Sequence, residues 1–207
     1  MIKNKIHRLD IDFLRAISVI AVIIYHAELK LENFSIFKGG FLGVDIFFVI
    51  SGFLITKILT EENTGILNFF ERRIRRIFPM LILVLIASSF FAWKYLYPSD
   101  LVSFSESVIS SILFISNYFF WIIGQQYGAQ TSINLPLLHT WSLGVEIQFY
   151  ILFPIIFFLL KFSKYFNNII LILLFISSLL VSEYLSKKAP AFNFYFFLSR
   201  LWEFLLG

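Results

Sequence analysis

Long apolar runs alternate with short polar connections along the 207 residues, and the runs fall at about 11–28, 41–59, 77–97, 104–123, 137–160, 167–185 and 192–207. Each comes close to the roughly 20 mostly apolar residues that an α-helix needs to cross a bilayer. The pattern therefore predicts an all-α protein, a polytopic transmembrane helical bundle of about six to seven spans. There is no internal repeat, no low-complexity linker and no polar region large enough for a second domain, so residues 1–207 are expected to form one membrane domain. The longest polar stretch, about 124–135 (GQQYGAQTSINL), carries no charge and reads as a loop.

Composition sharpens the class. The chain is 59% hydrophobic and 20% aromatic, with 28 Phe and only 14% charged residues. Soluble domains average about 25% charged residues, which excludes a water-soluble fold. A net charge of +4, gathered in a few connections, gives no reason to expect a nucleic-acid partner. With no cysteine in the chain, disulfides, thiolate metal sites and a cysteine nucleophile are excluded. The first residues, MIKNKIHRLD, are basic and precede an apolar run, like a signal peptide. Arg15 near the start of that run and the YHAELK that ends it, without a small-residue cleavage pattern, favour a retained first span.

Lys and Arg in short connections set orientation. Lys3, Lys5 and Arg8 precede the first span, and Lys57, Arg72, Arg73, Arg75 and Arg76 lie in or beside the connection after the second. The intervening ELKLENFSIFKGG balances two lysines with two glutamates. The N-terminus and the arginine cluster are therefore expected on the cytoplasmic side. Simple alternation would then place Lys161 and Lys164 outside, against the rule, so SFSESVISSILFISNYFFW is a candidate for a re-entrant or partner-buried segment instead of a full span.

Ionisable residues inside spans are expensive, about 2.5–3.5 kcal/mol at a helix centre on insertion scales, and call for a functional explanation. In RAISVIAVIIYH, Arg15 and His26 are eleven residues apart. On a helix this puts them within about 20° of one face and roughly 16 Å apart along the axis. The plain alternative is a snorkelling arginine and an interfacial histidine. Asp45, a few residues into the second span, is expected at a depth similar to His26, where a carboxylate would fix the imidazole tautomer and support a general base. Asp45 as a solvated residue at the helix start is the simpler reading. Gly43, Ser51 and Gly52 would allow close helix approach.

In FFERRIRRIFP, Arg72 lies one turn from Arg75 and Arg76, and Arg73 one turn from Arg76. Guanidinium forks suit bidentate phosphate binding, although a juxtamembrane basic cluster is also a topology signal or an anionic-lipid contact. Pro79 is expected near a helix start. PLLHTWSLGVEIQFYILFP brings His139, Trp141, Glu146, Gln148 and Tyr150 to the beginning of another span, and Glu146, Gln148 and Tyr150 do not all share one helix face. A carboxylate at 146 could neutralise one of the arginines or position a ligand. Arg200 and Glu203, three residues apart in the last segment, suit an intrahelical pair.

In order and spacing, RLDIDFLRAISVIAVIIYH, GGFLGVDIFFVISGFLIT, FFERRIRRIFP, LLHTWSLGVEIQFYILFP and FYFFLSRLWEFLLG resemble the acyltransferase type 3 family of integral membrane acyltransferases. The resemblance implies O-acetyl transfer from cytoplasmic acyl-coenzyme A to a hydroxyl of a surface polysaccharide, lipopolysaccharide or peptidoglycan. It places the family's arginine-ten-histidine motif on Arg15 and His26, its arginine pair within Arg72–Arg76, and its tryptophan-serine-leucine motif on Trp141, Ser142 and Leu143 with Glu146. Family members often have two adjacent acidic residues where this chain has Glu146 followed by Ile147. The family domain also has about ten spans, so the chain is expected to be the N-terminal part of a longer protein.

On this resemblance Arg72, Arg73, Arg75 and Arg76 hold the coenzyme A phosphates, Arg15 supports the pantetheine or diphosphate, and His26, oriented by Asp45, deprotonates the sugar hydroxyl or relays the acyl group as an acyl-imidazole. Acyl-coenzyme A, a glycan acceptor and membrane lipid are the expected partners, and no metal ion is expected. The protein is expected in the plasma membrane; a proton-coupled membrane transporter would also place Arg, His, Asp and Glu within spans, and a non-catalytic fragment would account for the short chain.

Overall fold

The computed structural model describes residues 8–27, 30–31, 34–35, 39–61, 66–125, 135–160 and 164–207. The described residues are almost wholly helical: α1 (Leu9–His26), α2 (Leu42–Glu61), α3 (Ile66–Tyr95), α4 (Pro98–Ile112), α5 (Ser116–Gly124), α6 (Thr140–Leu160), α7 (Lys164–Lys188), α8 (Pro190–Tyr195) and α9 (Phe197–Leu206). Between α1 and α2 a two-residue antiparallel ladder pairs β1 (Lys30–Leu31) with β2 (Phe34–Ser35), Lys30 opposite Ser35 and Leu31 opposite Phe34. The basic tail before Arg8, Lys161 and most of the expected loop at 124–135 lie outside the described residues.

The all-α expectation holds. Among the described residues, α2, α3, α6 and α7 are long and apolar enough to cross a membrane. The other three expected spans differ for physical reasons. The stretch at 11–28 is α1, a single helix of 18 residues whose Asp10, Asp12 and Arg15 make it less apolar than an ordinary span. The stretch at 104–123 is interrupted: α4 ends at Ile112, Phe114 takes a left-handed φ of 56°, and α5 starts at Ser116. The stretch at 192–207 is interrupted at Phe196, which is extended between α8 and α9. Pro79 lies inside the 30-residue α3 and not near its start. There it removes the helical donor of the Arg75 carbonyl.

The chain divides into two compact units, one comprising residues up to Thr56 with Glu203–Gly207, the other Lys57–Trp202. In the first, α1 and α2 run antiparallel. Tyr25 meets Phe41, Val22 and Ser18 meet Gly43, the Arg15 guanidinium lies over the Phe47 ring, and Arg8 lies over Phe53. A Cβ at Gly43 would stand 2.4 Å from the Ser18 carbonyl oxygen, so the helices touch backbone to backbone as small residues permit. Gly52 does the same against the carboxyl end of α9, where Phe48 and Phe204 stack with centroids 4.5 Å apart.

In the second unit, α6 is the central element. Phe120 and Ile123 of α5 are buried with Leu137, Trp141, Val145, Phe149 and Phe153 from and just before α6. Trp141 packs on Phe194 and Tyr195 at the end of α8. Ser178 of α7 donates to the Leu198 carbonyl and accepts from the Trp202 N–H, fastening α7 to the start of α9. The outward faces of α3 and α7 expose Leu83, Ile86, Phe90, Ile172, Leu173 and Leu180, apolar surfaces of the kind a lipid-facing helix presents.

Candidate active site

The α1 stripe that packs on α2 runs through Ile11, Arg15, Ser18 and Val22, one step of the helical period after another. Arg15 is therefore part of the packed face, half-buried, with its guanidinium 5.5 Å from the centroid of the Phe47 ring. Ser18 turns its hydroxyl back to its own Leu14 carbonyl at 2.8 Å, which leaves a small apolar step for Gly43. The same stripe continues to the end of the helix. His26 is its last residue and is exposed, with the Tyr25 ring at 5.2 Å edge-on.

Asp45 is half-buried in the first turn of α2, between Gly43, which meets Ser18 and Val22, and Phe47, which meets Arg15. Because Phe41 is the residue that meets Tyr25, Asp45 lies about one helical turn, roughly 6 Å, further along α2 than the level of His26. The Cα of Asp45 thus lies at a level between those of Arg15 and His26. At the opposite end of α1, Arg8 grips Asp10 through Nε (3.0 Å and 3.2 Å) and Nη2 (2.6 Å). The hydrogen bonds from Arg8 bring the Asp10 carboxyl down to about 2.

The arginine cluster is one continuous stretch of α3 whose members face different surroundings. Arg72, Arg75 and Arg76 are exposed, and Arg75 pairs with Glu71 one turn back at 2.8 Å. Arg73 is 7% exposed, with its guanidinium 5.6 Å from the Phe69 ring and 5.0 Å from the Tyr150 ring. Tyr150 in turn donates its hydroxyl hydrogen to Glu146, one turn earlier on α6. The structure thus brings Arg73, Tyr150 and Glu146 together. Gln148 points elsewhere, as the helical period requires, and donates to Asn117 Oδ1 at 2.9 Å and to the Phe114 carbonyl at 3.2 Å.

That second contact belongs to a buried polar cluster the sequence reading did not assign. Fully buried Asn117 donates to the Tyr195 carbonyl at 3.0 Å, Ser116 donates to the Thr140 carbonyl at 2.8 Å, and the Ser111 and Thr140 hydroxyls share a hydrogen at 2.8 Å. Gly144 lets α6 approach this cluster: a Cβ there would be 3.1 Å from Asn117 Oδ1 and 3.2 Å from the Phe114 carbonyl oxygen. The polar groups satisfy the backbone freed by the helix break, as lipid-embedded irregular backbone requires. The serine-rich character of SFSESVISSILFISNYFFW was the available signal.

Within the tryptophan-serine-leucine motif, Trp141 is buried, Ser142 donates to the His139 carbonyl at 3.1 Å, and His139 itself is exposed in the turn before α6. Arg200 donates to the Phe194 carbonyl at 3.2 Å and covers the Phe194 ring, while Glu203 is buried. Among the described residues no group of three or more His, Asp or Glu side chains is arranged to hold a metal ion.

Apolar helices long enough to cross a bilayer, with arginine, glutamate and asparagine turned into the protein, define a multi-pass membrane protein. The chain belongs to the acyltransferase type 3 family, whose model, described as an acyltransferase domain, matches residues 8–207. It is 42% identical over 168 residues to the peptidoglycan O-acetyltransferase OatA of Listeria monocytogenes, covering 77% of this chain and 25% of that protein. It is 39% identical over 153 residues to the O-acetyltransferase OatA of Staphylococcus aureus, covering 70% of this chain and 24% of that protein. A putative O-acetyltransferase of Staphylococcus aureus strain COL is 41% identical over 151 residues, again 70% of this chain and 24% of the relative. The chain thus spans about a quarter of the length of the curated relatives it matches. No solved structure gives a significant match.

Proposed function

We propose that this membrane domain, residues 1–207, belongs to an O-acyltransferase that moves an acyl group, in the first instance acetyl, from cytoplasmic acyl-coenzyme A to a hydroxyl of an extracytoplasmic glycan. That a relative is a peptidoglycan O-acetyltransferase supports a cell-envelope acceptor, with peptidoglycan the first candidate. The protein sits in the plasma membrane with its N-terminus in the cytoplasm, on the same side as Arg72–Arg76, in keeping with the positive-inside rule.

The exposed arginines of the cluster, Arg72, Arg75 and Arg76, hold the phosphates of the donor. Arg15 supports the diphosphate or pantetheine deeper in. His26 takes the proton of the acceptor hydroxyl, oriented by Asp45, and Glu146 positions the ligand. The hydroxyl oxygen attacks the thioester carbonyl, the C–O bond forms, the C–S bond breaks, and the imidazolium returns its proton to the coenzyme A thiolate. The observation that supports this reading best is the α1 stripe, with a half-buried cation in its packed part and an exposed imidazole at its end.

Thioester turnover tests the proposal. Membranes containing the protein, given acetyl-coenzyme A and envelope glycan, release free coenzyme A thiol in step with new O-acetyl ester. Proton-coupled transport would move a solute with the thioester intact, and that result would overturn the transfer reading.

A further inference from the structure

The four arginines of α3 share one stretch of helix, yet their surroundings separate them. Arg72 and Arg76 are exposed one turn apart, and Arg75 is exposed and paired with Glu71. Arg73 is 7% exposed and its guanidinium lies over the Phe69 and Tyr150 rings. A ligand carrying several negative charges reaches exposed forks directly. It would have to displace two aromatic rings to grip the fork of Arg73.

Burying a guanidinium is costly unless its charge is answered nearby. Part of the answer is the ring faces, whose quadrupole attracts a cation. The rest comes through Tyr150, which is 3% exposed and donates its hydroxyl hydrogen to Glu146, itself 6% exposed. A phenol that donates to a carboxylate becomes richer in electron density, so its ring holds the cation more strongly, and the cation in turn polarises the phenol towards the carboxylate. The three groups therefore support one another across two helices.

We infer that Arg73 is not a ligand of the donor but a positioning residue that acts through Tyr150 to fix the Glu146 carboxylate on α6, leaving phosphate recognition to the exposed arginines of α3. The kinetic part of this inference rests on the acyl-transfer reading; the coupling between Arg73 and Tyr150 does not.

Two measurements on the full chain in detergent micelles decide it. The first is a melting cycle of Arg73→Gln, Tyr150→Phe and the double variant. Coupling predicts that the double variant melts about as high as the worse single one, because the second change removes an interaction already lost. Melting shifts that add would overturn the coupling. The second is acetyl-coenzyme A turnover. Arg73→Gln is expected to lower kcat by about tenfold or more with donor KM within about twofold, whereas Arg72→Gln and Arg76→Gln raise donor KM. Arg73→Lys, which keeps a cation over the ring, is expected to recover most of the kcat. A rise in donor KM for Arg73→Gln equal to that of Arg72→Gln would overturn the inference. If the unmodified chain consumes no thioester, the transfer reading fails, and the melting cycle still decides the coupling.

Discussion

Gly52 offers the most direct check on the packing that supports α1 and α2. Replacing it by alanine adds one methyl group that would stand 1.9 Å from the Phe204 carbonyl oxygen, 2.8 Å from its carbonyl carbon and 3.0 Å from its Cα. All three are backbone atoms, so no rotamer change relieves the clash. Reaching an ordinary contact near 3.4 Å requires the end of α9 to move by about 1.5 Å, which also parts the stacked Phe48 and Phe204 rings. Overpacking of this kind costs roughly 1–3 kcal/mol, with a backbone clash at the upper end. Against it stands the helix propensity of alanine over glycine, about 1 kcal/mol. The net loss is about 2 kcal/mol, or a melting temperature lower by about 4–8 °C for a chain of this size. Gly124, around which nothing lies within 4 Å, is the internal control, and Gly124→Ala should melt at or slightly above the parent. Thermal melting of both variants in one detergent reads the difference. If Gly52→Ala melts no lower than Gly124→Ala, the close approach of α2 and α9 is wrong.

Further outcomes follow from the other sites. Gln148→Leu strips two hydrogen bonds, from the buried Asn117 and the half-buried Phe114 acceptors, and should destabilise the chain by about 1–3 kcal/mol, read as a fall in melting temperature. The Asp10 carboxyl, held at about 2 by Arg8, should titrate near the ordinary 3.9 in Arg8→Ala, as NMR of the side-chain carboxyl would show. Because that value is lowered in the folded protein, the stability linked to Asp10 is full above pH 4 and fades as pH falls through about 2. Arg72→Gln and Arg76→Gln, at exposed positions of α3, should raise the donor KM while kcat holds.

How much could be read from residues alone varies with the kind of interaction. The helices and their apolar character were legible because period and length are local properties, and so was the shared face of Arg15 and His26, which needs only an unbroken α1. The contacts of Gly43 and Gly52 were anticipated in kind, since small residues on apolar helices permit close approach. The breaks at Phe114 and Phe196 were not located. Neither carries the glycine that usually marks a helix end, and the carbonyl of the left-handed Phe114 is bonded by Gln148, 34 residues away, a partner no local pattern encodes. Nor did spacing separate Arg73 from its neighbours. Its signal was phase: Arg73 lies one turn after Phe69 and in the row that leads to Leu81 and Leu85, all buried, and Glu71 was already placed to hold Arg75 at the surface. The depth of Asp45 depended on the register of two helices, which the ring contacts of Tyr25 and Arg15 set and no local pattern encodes.

The role of His26 is the central claim, and ester counting on the envelope tests it most directly. Mass spectrometry of envelope glycan from cells making the unmodified protein or His26→Ala, at matched protein level in the membrane, measures O-acetyl esters per sugar. The account predicts that the esters due to this protein vanish in His26→Ala. Acetylation at the unmodified level in that variant would contradict it.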